Sequence, residues 1–209
     1  MITPNVNRST PVIGVVKSIK KALKASMNDQ FLYSEEEIHK LKKAKRDYEK
    51  IEQEANLRIQ QYPEDQKRSA VLPLLHIVQS EFGFISPEAI EWVATKLELN
   101  PIKVEEVVTF YPGLRQHAPG KYHIRICRTL SCAMGGSYEL MDKICELAGI
   151  DRSQSSHHNP VAVSPCGTWS VEFAECLASC GTAPVCLVND DFHENLPAAK
   201  APQLLETYR

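Results

Sequence analysis

The fold class of this chain is decided at Tyr122-His123-Ile124-Arg125-Ile126-Cys127, where apolar and polar side chains alternate as in a half-buried strand. The following residues, 135–148, space their apolar side chains at helical intervals. Two further strands are predicted at Trp169-Ser170-Val171-Glu172-Phe173 and at Val185-Cys186-Leu187-Val188. One strand, a helix and two more strands predict a small α/β sandwich.

The chain that precedes this sandwich is predicted to be helical. Three short helices are expected at 68–82, 87–97 and 102–108. Gly83 supplies a stop for the first, while Ser86-Pro87 and Asn100-Pro101 start the second and the third. Short helices joined by short loops form a bundle. The sequence therefore predicts an α+β protein in which an N-terminal helical bundle precedes the α/β domain.

A long charged helix is predicted ahead of the bundle. It begins at the capping box Ser34-Glu35-Glu36-Glu37 and ends at Pro63, and its dense Lys and Glu leave only a narrow apolar stripe for packing. Residues 1–33 are predicted to be largely irregular. The predicted division is an N-terminal extension at 1–65, the helical bundle at 66–116 and the α/β domain at 117–209.

Composition and charge restrict the class of function. The 209 residues are 43% hydrophobic and 24% charged, with a net charge of −2, so nothing indicates nucleic-acid binding. No apolar run approaches the roughly 18 residues that a membrane span needs. The chain has no G-x-G-x-x-G motif and no P-loop, and its histidines are scattered. We therefore expect no hydrolytic site, no membrane span, and no binding of NAD, flavin or ATP through those motifs.

Four of the seven cysteines form two pairs. Four residues separate Cys127 from Cys132, three separate Cys176 from Cys180, and each pair lies where a predicted strand gives way to a loop. Zinc knuckles usually have shorter spacings, and the cysteine count does not suit a disulfide framework. A [2Fe–2S] cluster accepts ligands further apart, and the first pair repeats the C-x₄-C step of plant-type ferredoxins. The spacing favours an iron–sulfur cluster and leaves zinc as the alternative.

The other three cysteines are predicted to be spectators. Cys145 lies on the apolar face of a predicted helix and Cys186 lies within a strand, so both are expected in the core. Cys166 is expected in an exposed turn. Gly135-Gly136 is expected to let the backbone approach sulfur, and Arg128 is a candidate for charge compensation, with a solvated surface arginine as the alternative.

The motifs taken together resemble those of the E-type [2Fe–2S] subunit of NADH:quinone oxidoreductase (complex I), a family with a thioredoxin-like ferredoxin domain. The resemblance extends from Arg68 to the C-terminus and covers the cluster signature throughout. It rests on Arg68–His76 with Gly83–Glu88, Val107-Val108-Thr109-Phe110-Tyr111, Cys127-x₄-Cys132 with Gly136-Ser137, Glu175-Cys176-Leu177-x-x-Cys180-x-x-Ala183-Pro184, and Val188-Asn189-Asp190. Two departures are residues 1–65 and Cys166, which stands where the family more often has a polar residue.

This resemblance implies that Cys127, Cys132, Cys176 and Cys180 bind one [2Fe–2S] cluster, which exchanges single electrons with FMN in a partner flavoprotein subunit that oxidises NADH. The chain would be a subunit of an NADH dehydrogenase that reduces quinone and pumps protons, with no complete active site of its own. It would contact other peripheral-arm subunits, but neither quinone nor lipid. It would be located in the cytoplasm at the inner face of the plasma membrane, or on the matrix side of a mitochondrial membrane. The alternatives are the equivalent diaphorase subunit of an NAD-linked hydrogenase or formate dehydrogenase, and a zinc-stabilised adaptor without a redox role.

Overall fold

The computed structural model describes residues 35–155 and 159–208, and the chain divides into two compact units, Met1–Ala118 and Pro119–Arg209. The first unit is helical within its described residues, and the second contains a five-stranded mixed sheet with helices. The predicted mixed fold class is confirmed. The predictions for residues 1–33 and for the Ser34 cap fall outside the described residues.

Four helices build the described part of the first unit: α1 (Glu35–Ile59), α2 (Val71–Phe82), α3 (Pro87–Lys96) and α4 (Pro101–Phe110). A 3₁₀ segment, Glu64–Ala70, precedes α2, which therefore begins three residues after the predicted start at 68.

The helix ends of the first unit follow the local chemistry of the sequence. The Ser86 hydroxyl accepts the Ala89 N–H at 3.2 Å, and the Asn100 side-chain oxygen accepts the Ile102 N–H at 3.1 Å. Gly83 ends α2 with a φ of 81°, in the left-handed region that glycine adopts without strain. These three predicted caps are confirmed.

The second half of α1 packs with the bundle. Its Ile51 and Ala55 are buried, and Ala55 belongs to the same apolar cluster as Leu74, Val93 and Val104. The charged helix therefore supplies side chains to the core of the first unit. The division into three segments at 65 and 116 stays a prediction.

The second unit is built on β1 (Tyr122–Cys127), β2 (Ala162–Val163), β3 (Trp169–Ala174), β4 (Cys186–Val188) and β5 (Asp191–His193). The strand order is β2-β3-β1-β4-β5; β1 and β3 are parallel, and the other pairs are antiparallel. Three helices complete it: α5 (Leu130–Met134), α6 (Ser137–Ala148) and α7 (Ala201–Thr207).

One face of this sheet packs on helices. Ile124 and Ile126 of β1 and Val171 of β3 form one cluster with Leu140 of α6 and Leu204 of α7. β2, β5, α5 and α7 were not predicted, because two or three residues are too few to show strand alternation and the two helices have only five and seven residues. The sheet and its helices place the ends of β1 and β3 side by side; Cys127 is the last residue of β1, and the other three paired cysteines lie in the segments that follow the two strands.

Candidate metal centre

Parallel pairing of β1 with β3 brings the two cysteine loops together. Cys127 ends β1 in register with Ala174, the last residue of β3 and two residues before Cys176. The Arg128 N–H donates to the Ala174 carbonyl at 3.0 Å, so the ladder continues into the first loop. Because the carboxyl ends of parallel strands meet at one sheet edge, both loops begin there. Residues that pair between the two strands, such as Tyr122 and Trp169, are 47 positions apart in the sequence.

The first pair of cysteines is buried. Cys127 and Cys132 are each 1% exposed and pack with Val185, and Leu177 from the second loop packs against this cluster. Cys132 lies in α5, the short helix that follows β1. A leucine between the second pair of cysteines thus covers the first pair, and the two loops form one cluster.

The second pair is open to solvent. The Sγ atoms of Cys176 and Cys180 are 4.0 Å apart, and both residues are exposed. The Ala178 N–H donates to Cys176 Sγ at 3.4 Å, from a residue whose φ of 61° turns the loop back on itself. A negative charge on Cys180 would raise the pKa of Cys132.

The pKa values of the buried thiols move in opposite directions. Burial raises the pKa of Cys127, but hydrogen bonds from the Thr129 hydroxyl at 3.2 Å and from the Leu177 N–H outweigh it, so this pKa is lowered. Burial and the hydrogen bond with Cys127 raise the pKa of Cys132, against one hydrogen bond from the Val185 N–H. The thiolate form is therefore easier to reach at Cys127 than at Cys132.

Polar contacts hold the two loops in shape. The Arg128 guanidinium pairs with the Glu175 carboxylate at 2.6 Å and so bridges the first loop to the second. Glu194 accepts hydrogen bonds from the hydroxyls of Ser179 and Thr182, which lowers the pKa of its carboxyl group. Arg128 is exposed and ion-paired, so its charge is already partly balanced within the protein.

Two glycines shape the junction between α5 and α6. A Cβ atom on Gly135 would lie 3.3 Å from the ring of Pro184, which shows that this junction lies against the second loop. Gly136 has a φ of 96°, a conformation that side chains rarely adopt. The predicted approach of this backbone to a sulfur is not observed, because the atoms nearest to Gly135 belong to Pro184 and Ser131.

The two pairs of sulfurs could hold a binuclear cluster. Within 35–155 and 159–208, no three His, Cys, Asp or Glu side chains have the geometry of a single-ion site. The sulfurs form two pairs, and a [2Fe–2S] cluster takes two thiolates for each iron. Backbone N–H groups of Leu177, Ala178 and Val185 already reach three of the four sulfurs. Such donors offset the negative charge of an iron–sulfur cluster.

The three remaining cysteines differ from these four. Cys145 and Cys186 are buried in the core between the sheet and its helices, and burial raises the pKa of Cys186 to about 12. Cys166 is exposed, and hydrogen bonds from Ser164 and Thr168 lower its pKa to about 7. The predicted burial of the first two and exposure of the third are confirmed.

Several residues of the site were not predicted as functional. Thr129 and Leu177 contact the buried thiols, and Glu194 secures the second loop from beyond β5. Thr129 and Leu177 lie within two residues of a cysteine, which is a usable signal in the sequence. Glu194 carries no such signal, because its contacts depend on the hairpin of β4 and β5.

No helix in the described part of the chain has the length and apolar character required to cross a bilayer.

Comparison with known proteins gives consistent matches. The family model for thioredoxin-like [2Fe–2S] ferredoxins matches residues 55–209. NADH-quinone oxidoreductase subunit 2 of Thermus thermophilus is 41% identical over 149 residues, which are 71% of this chain and 78% of that protein. The E-type NADH-quinone oxidoreductase subunit of Rickettsia prowazekii is 39% identical over 152 residues, which are 72% and 81% of the two chains.

Solved structures show the same fold. A chain of the NAD⁺-reducing [NiFe]-hydrogenase in its air-oxidized state matches with a TM-score of 0.52 at 22% identity. The match covers 66% of this chain and 22% of the hydrogenase chain, so it concerns about a fifth of that longer chain.

Proposed function

Because the chain belongs to the thioredoxin-like [2Fe–2S] ferredoxin family, we propose that Cys127, Cys132, Cys176 and Cys180 bind one [2Fe–2S] cluster. One observation carries the assignment: the two cysteine pairs lie at the adjacent ends of β1 and β3, and Leu177 of one loop packs on the thiols of the other. The family model supports the cofactor, and this geometry supports the four ligands. Zinc is the less favoured occupant, because zinc knuckles usually have shorter spacings than those within these two cysteine pairs.

A [2Fe–2S] cluster supplies transfer of one electron at a time. The protein would hold it asymmetrically, since Cys127 and Cys132 are buried whereas Cys176 and Cys180 are exposed. The buried pair would exclude water from one side. The exposed pair would leave the other side open to an electron-transfer partner.

We propose that the partner is an FMN-containing flavoprotein subunit that oxidises NADH, within an NADH:quinone oxidoreductase. The proposal is supported by relatives that are named as subunits of this oxidoreductase and that match over about four fifths of their own length. The chain would then lie among the peripheral-arm subunits, at the cytoplasmic face of the membrane or on the matrix side in a mitochondrion.

A second candidate is the equivalent diaphorase subunit of an NAD-linked hydrogenase or formate dehydrogenase. The fold match to the hydrogenase chain favours it, but that match is lower in identity and involves a much longer chain. Both candidates imply a flavin-containing partner.

The cofactor is tested on the full-length chain purified without oxygen. We expect two irons and two sulfides per chain, visible absorption from thiolate-to-iron charge transfer, and an EPR signal after reduction by dithionite. Each of Cys127→Ser, Cys132→Ser, Cys176→Ser and Cys180→Ser should lose the cluster or change its spectrum strongly. Cys166→Ser is the matched control and should retain iron and spectrum.

A colourless, EPR-silent protein that contains zinc would exclude the iron–sulfur assignment. The partner is tested by isolating the native complex through a tag on this chain. Co-purification of an FMN protein with quinone-reducing activity supports the first candidate, and co-purification with hydrogenase or formate dehydrogenase activity supports the second.

A further inference from the structure

Ser137, the first residue of α6, has a buried hydroxyl with no protein partner. The residue is completely inaccessible to solvent, and its Oγ makes no hydrogen bond in the structure. An unsatisfied buried hydroxyl costs about 1–3 kcal/mol. Native proteins rarely retain such a group unless it meets a ligand or a water molecule.

The topology places this hydroxyl at the end of the sheet that bears the cysteines. α6 follows β1 and precedes β3, and these two strands are parallel. A helix that connects parallel neighbouring strands runs antiparallel to both, so its first turn lies at their carboxyl ends. Cys127 ends β1 at that edge, and Cys176 follows the end of β3.

The side chain of Ser137 is directed inward. Ser137 is followed by Leu140, Met141 and Ile144 as the buried positions of α6, the helical spacing of one face. That face packs on the sheet. Two residues earlier, Gly135 lies against Pro184, whose neighbour Val185 packs in one cluster with Cys127 and Cys132. The hydroxyl therefore lies on the inner side of the junction between the two cysteine loops.

The end of the helix is itself suited to negative charge. α6 has 12 residues, and its N-cap, Gly136, has no side chain to cap the first turn. Uncapped N–H groups and the helix dipole make a helix N-terminus favourable for an anion. Glu139 is the acidic residue of this turn; it is exposed, and its Oε2 lies 3.5 Å from where a Cβ of Gly136 would be, so the outer side of the helix start already has a carboxylate. The inner side presents Ser137.

We propose that the Ser137 hydroxyl donates a hydrogen bond to a sulfur of the [2Fe–2S] cluster and thereby stabilises its reduced form; this rests on the function proposed above. A hydroxyl requires an acceptor, and a thiolate or sulfide sulfur of an anionic cluster is one. Reduction adds one electron from the external donor and increases the negative charge on sulfur. The proton stays on Oγ, no covalent bond changes, and the hydrogen bond strengthens.

The test compares the full-length wild type with Ser137→Ala by EPR-monitored redox titration. Alanine removes only the hydroxyl, so we expect an unchanged iron content. The equilibrium constant for one-electron reduction should fall by about three- to tenfold, and tenfold corresponds to a potential 59 mV more negative. Ser86→Ala is the matched control, because that serine is also buried but its hydroxyl is bonded within the first unit. Its potential should equal that of the wild type.

Two further measurements separate this role from a structural one. In the iron-free protein, Ser137→Ala should be at least as stable as the wild type, because an unsatisfied hydroxyl is removed. In the reduced wild type, pulsed EPR should detect an exchangeable proton coupled to the cluster that is absent from Ser137→Ala.

The inference is overturned if the variant retains its cluster at the wild-type potential. It is also overturned if a crystal structure of the cluster-loaded wild type shows Oγ of Ser137 bonded to water or backbone and not to sulfur, a result that does not depend on the variant. If the wild type binds no [2Fe–2S] cluster, the function proposed above is wrong. That outcome would be evident before any variant is titrated.

Discussion

His123 on β1 and Glu172 on β3 form a buried pair, with 2.9 Å between Nε2 and Oε1 and with less than a tenth of either side chain exposed. On the other side of the ring, Nδ1 lies 2.9 Å from Ser170 Oγ, which accepts the Gly120 N–H. Because an ionised carboxylate only accepts, Nε2–H donates to Glu172, while Nδ1 and the Ser170 hydroxyl share the second hydrogen bond of the ring. The side chains of His123, Ser170 and Glu172 are therefore all hydrogen-bonded within this network.

Removing one member of this pair should destabilise the second unit. Glu172→Leu leaves the His123 ring without its acceptor, and we expect a loss of about 3 kcal/mol. Glu172→Gln retains an acceptor oxygen and should cost about 1 kcal/mol. Urea unfolding, followed by the fluorescence of Trp169 in a Trp92→Phe background, measures both. Equal stability of Glu172→Leu and the parent would contradict the network.

Gly120 should tolerate no side chain, because it lies against the backbone of β3. A Cβ atom there would be 2.6 Å from the Trp169 carbonyl carbon and 2.9 Å from the Ser170 nitrogen. Gly120→Ala should therefore cost about 1–3 kcal/mol through forced displacement of the strand. Gly113→Ala is the control, since nothing lies within 4 Å of that position. Thermal unfolding should separate the two variants, and a common melting temperature would refute the predicted clash.

Glu52 of α1 should stabilise the first unit in a pH-dependent way. Its carboxylate pairs with Lys96 and accepts hydrogen bonds from Trp92 at 2.9 Å and from Tyr48. Burial raises the pKa of Glu52, but these hydrogen bonds together lower it below its ordinary value. Because the pKa of Glu52 is lower in the folded than in the unfolded state, its ionisation stabilises the folded state. This stabilisation is fully present above the unfolded pKa of about 4.3 and is lost as the pH falls through the folded pKa.

Glu52→Gln measures this contribution. At pH 7 the variant should be about 1 kcal/mol less stable than the parent, because the pair is half-buried. The difference should shrink below about pH 4, where the carboxylate becomes protonated. Urea unfolding followed by Trp92 fluorescence in a Trp169→Phe background gives both values, and Glu105→Gln on the exposed face of α4 serves as the surface control. If the difference in unfolding free energy between Glu52→Gln and the parent did not change with pH, the ionised carboxylate of Glu52 would not be the stabilising group.

Cys166 should be the fastest cysteine to react in the native, cluster-loaded protein. It is exposed with a pKa of about 7, whereas Cys186 is buried with a pKa of about 12. Because the thiolate is the nucleophile, its alkylation rate should rise as the pH increases through about 7 and then level off. Peptide mapping after brief iodoacetamide treatment identifies the site, and Cys166→Ser should abolish rapid labelling. Equally fast labelling of Cys186 would contradict its burial.

Local hydrogen bonding explains which predictions from the sequence were accurate. The caps at Ser86 and Asn100 and the stop at Gly83 depend on atoms within three or four residues, so the sequence alone predicts them. The strand at 122–127 was predicted with its observed bounds, because its six residues alternate. β2 and β5 have two and three residues and exist only through pairing with β3 and β4.

The sequence by itself determined the class of the fold, the caps and the two cysteine pairs, because spacing and capping act over a few residues. Only the tertiary structure decided that β1 pairs in parallel with β3, which brings Cys127 beside the loop of Cys176. It also decided that Leu177 covers the buried thiols and that Ser137 is enclosed without a partner. These relationships join residues distant in sequence through strand pairing and apolar burial. Their free energy depends on the assembled sheet, so no local pattern specifies them.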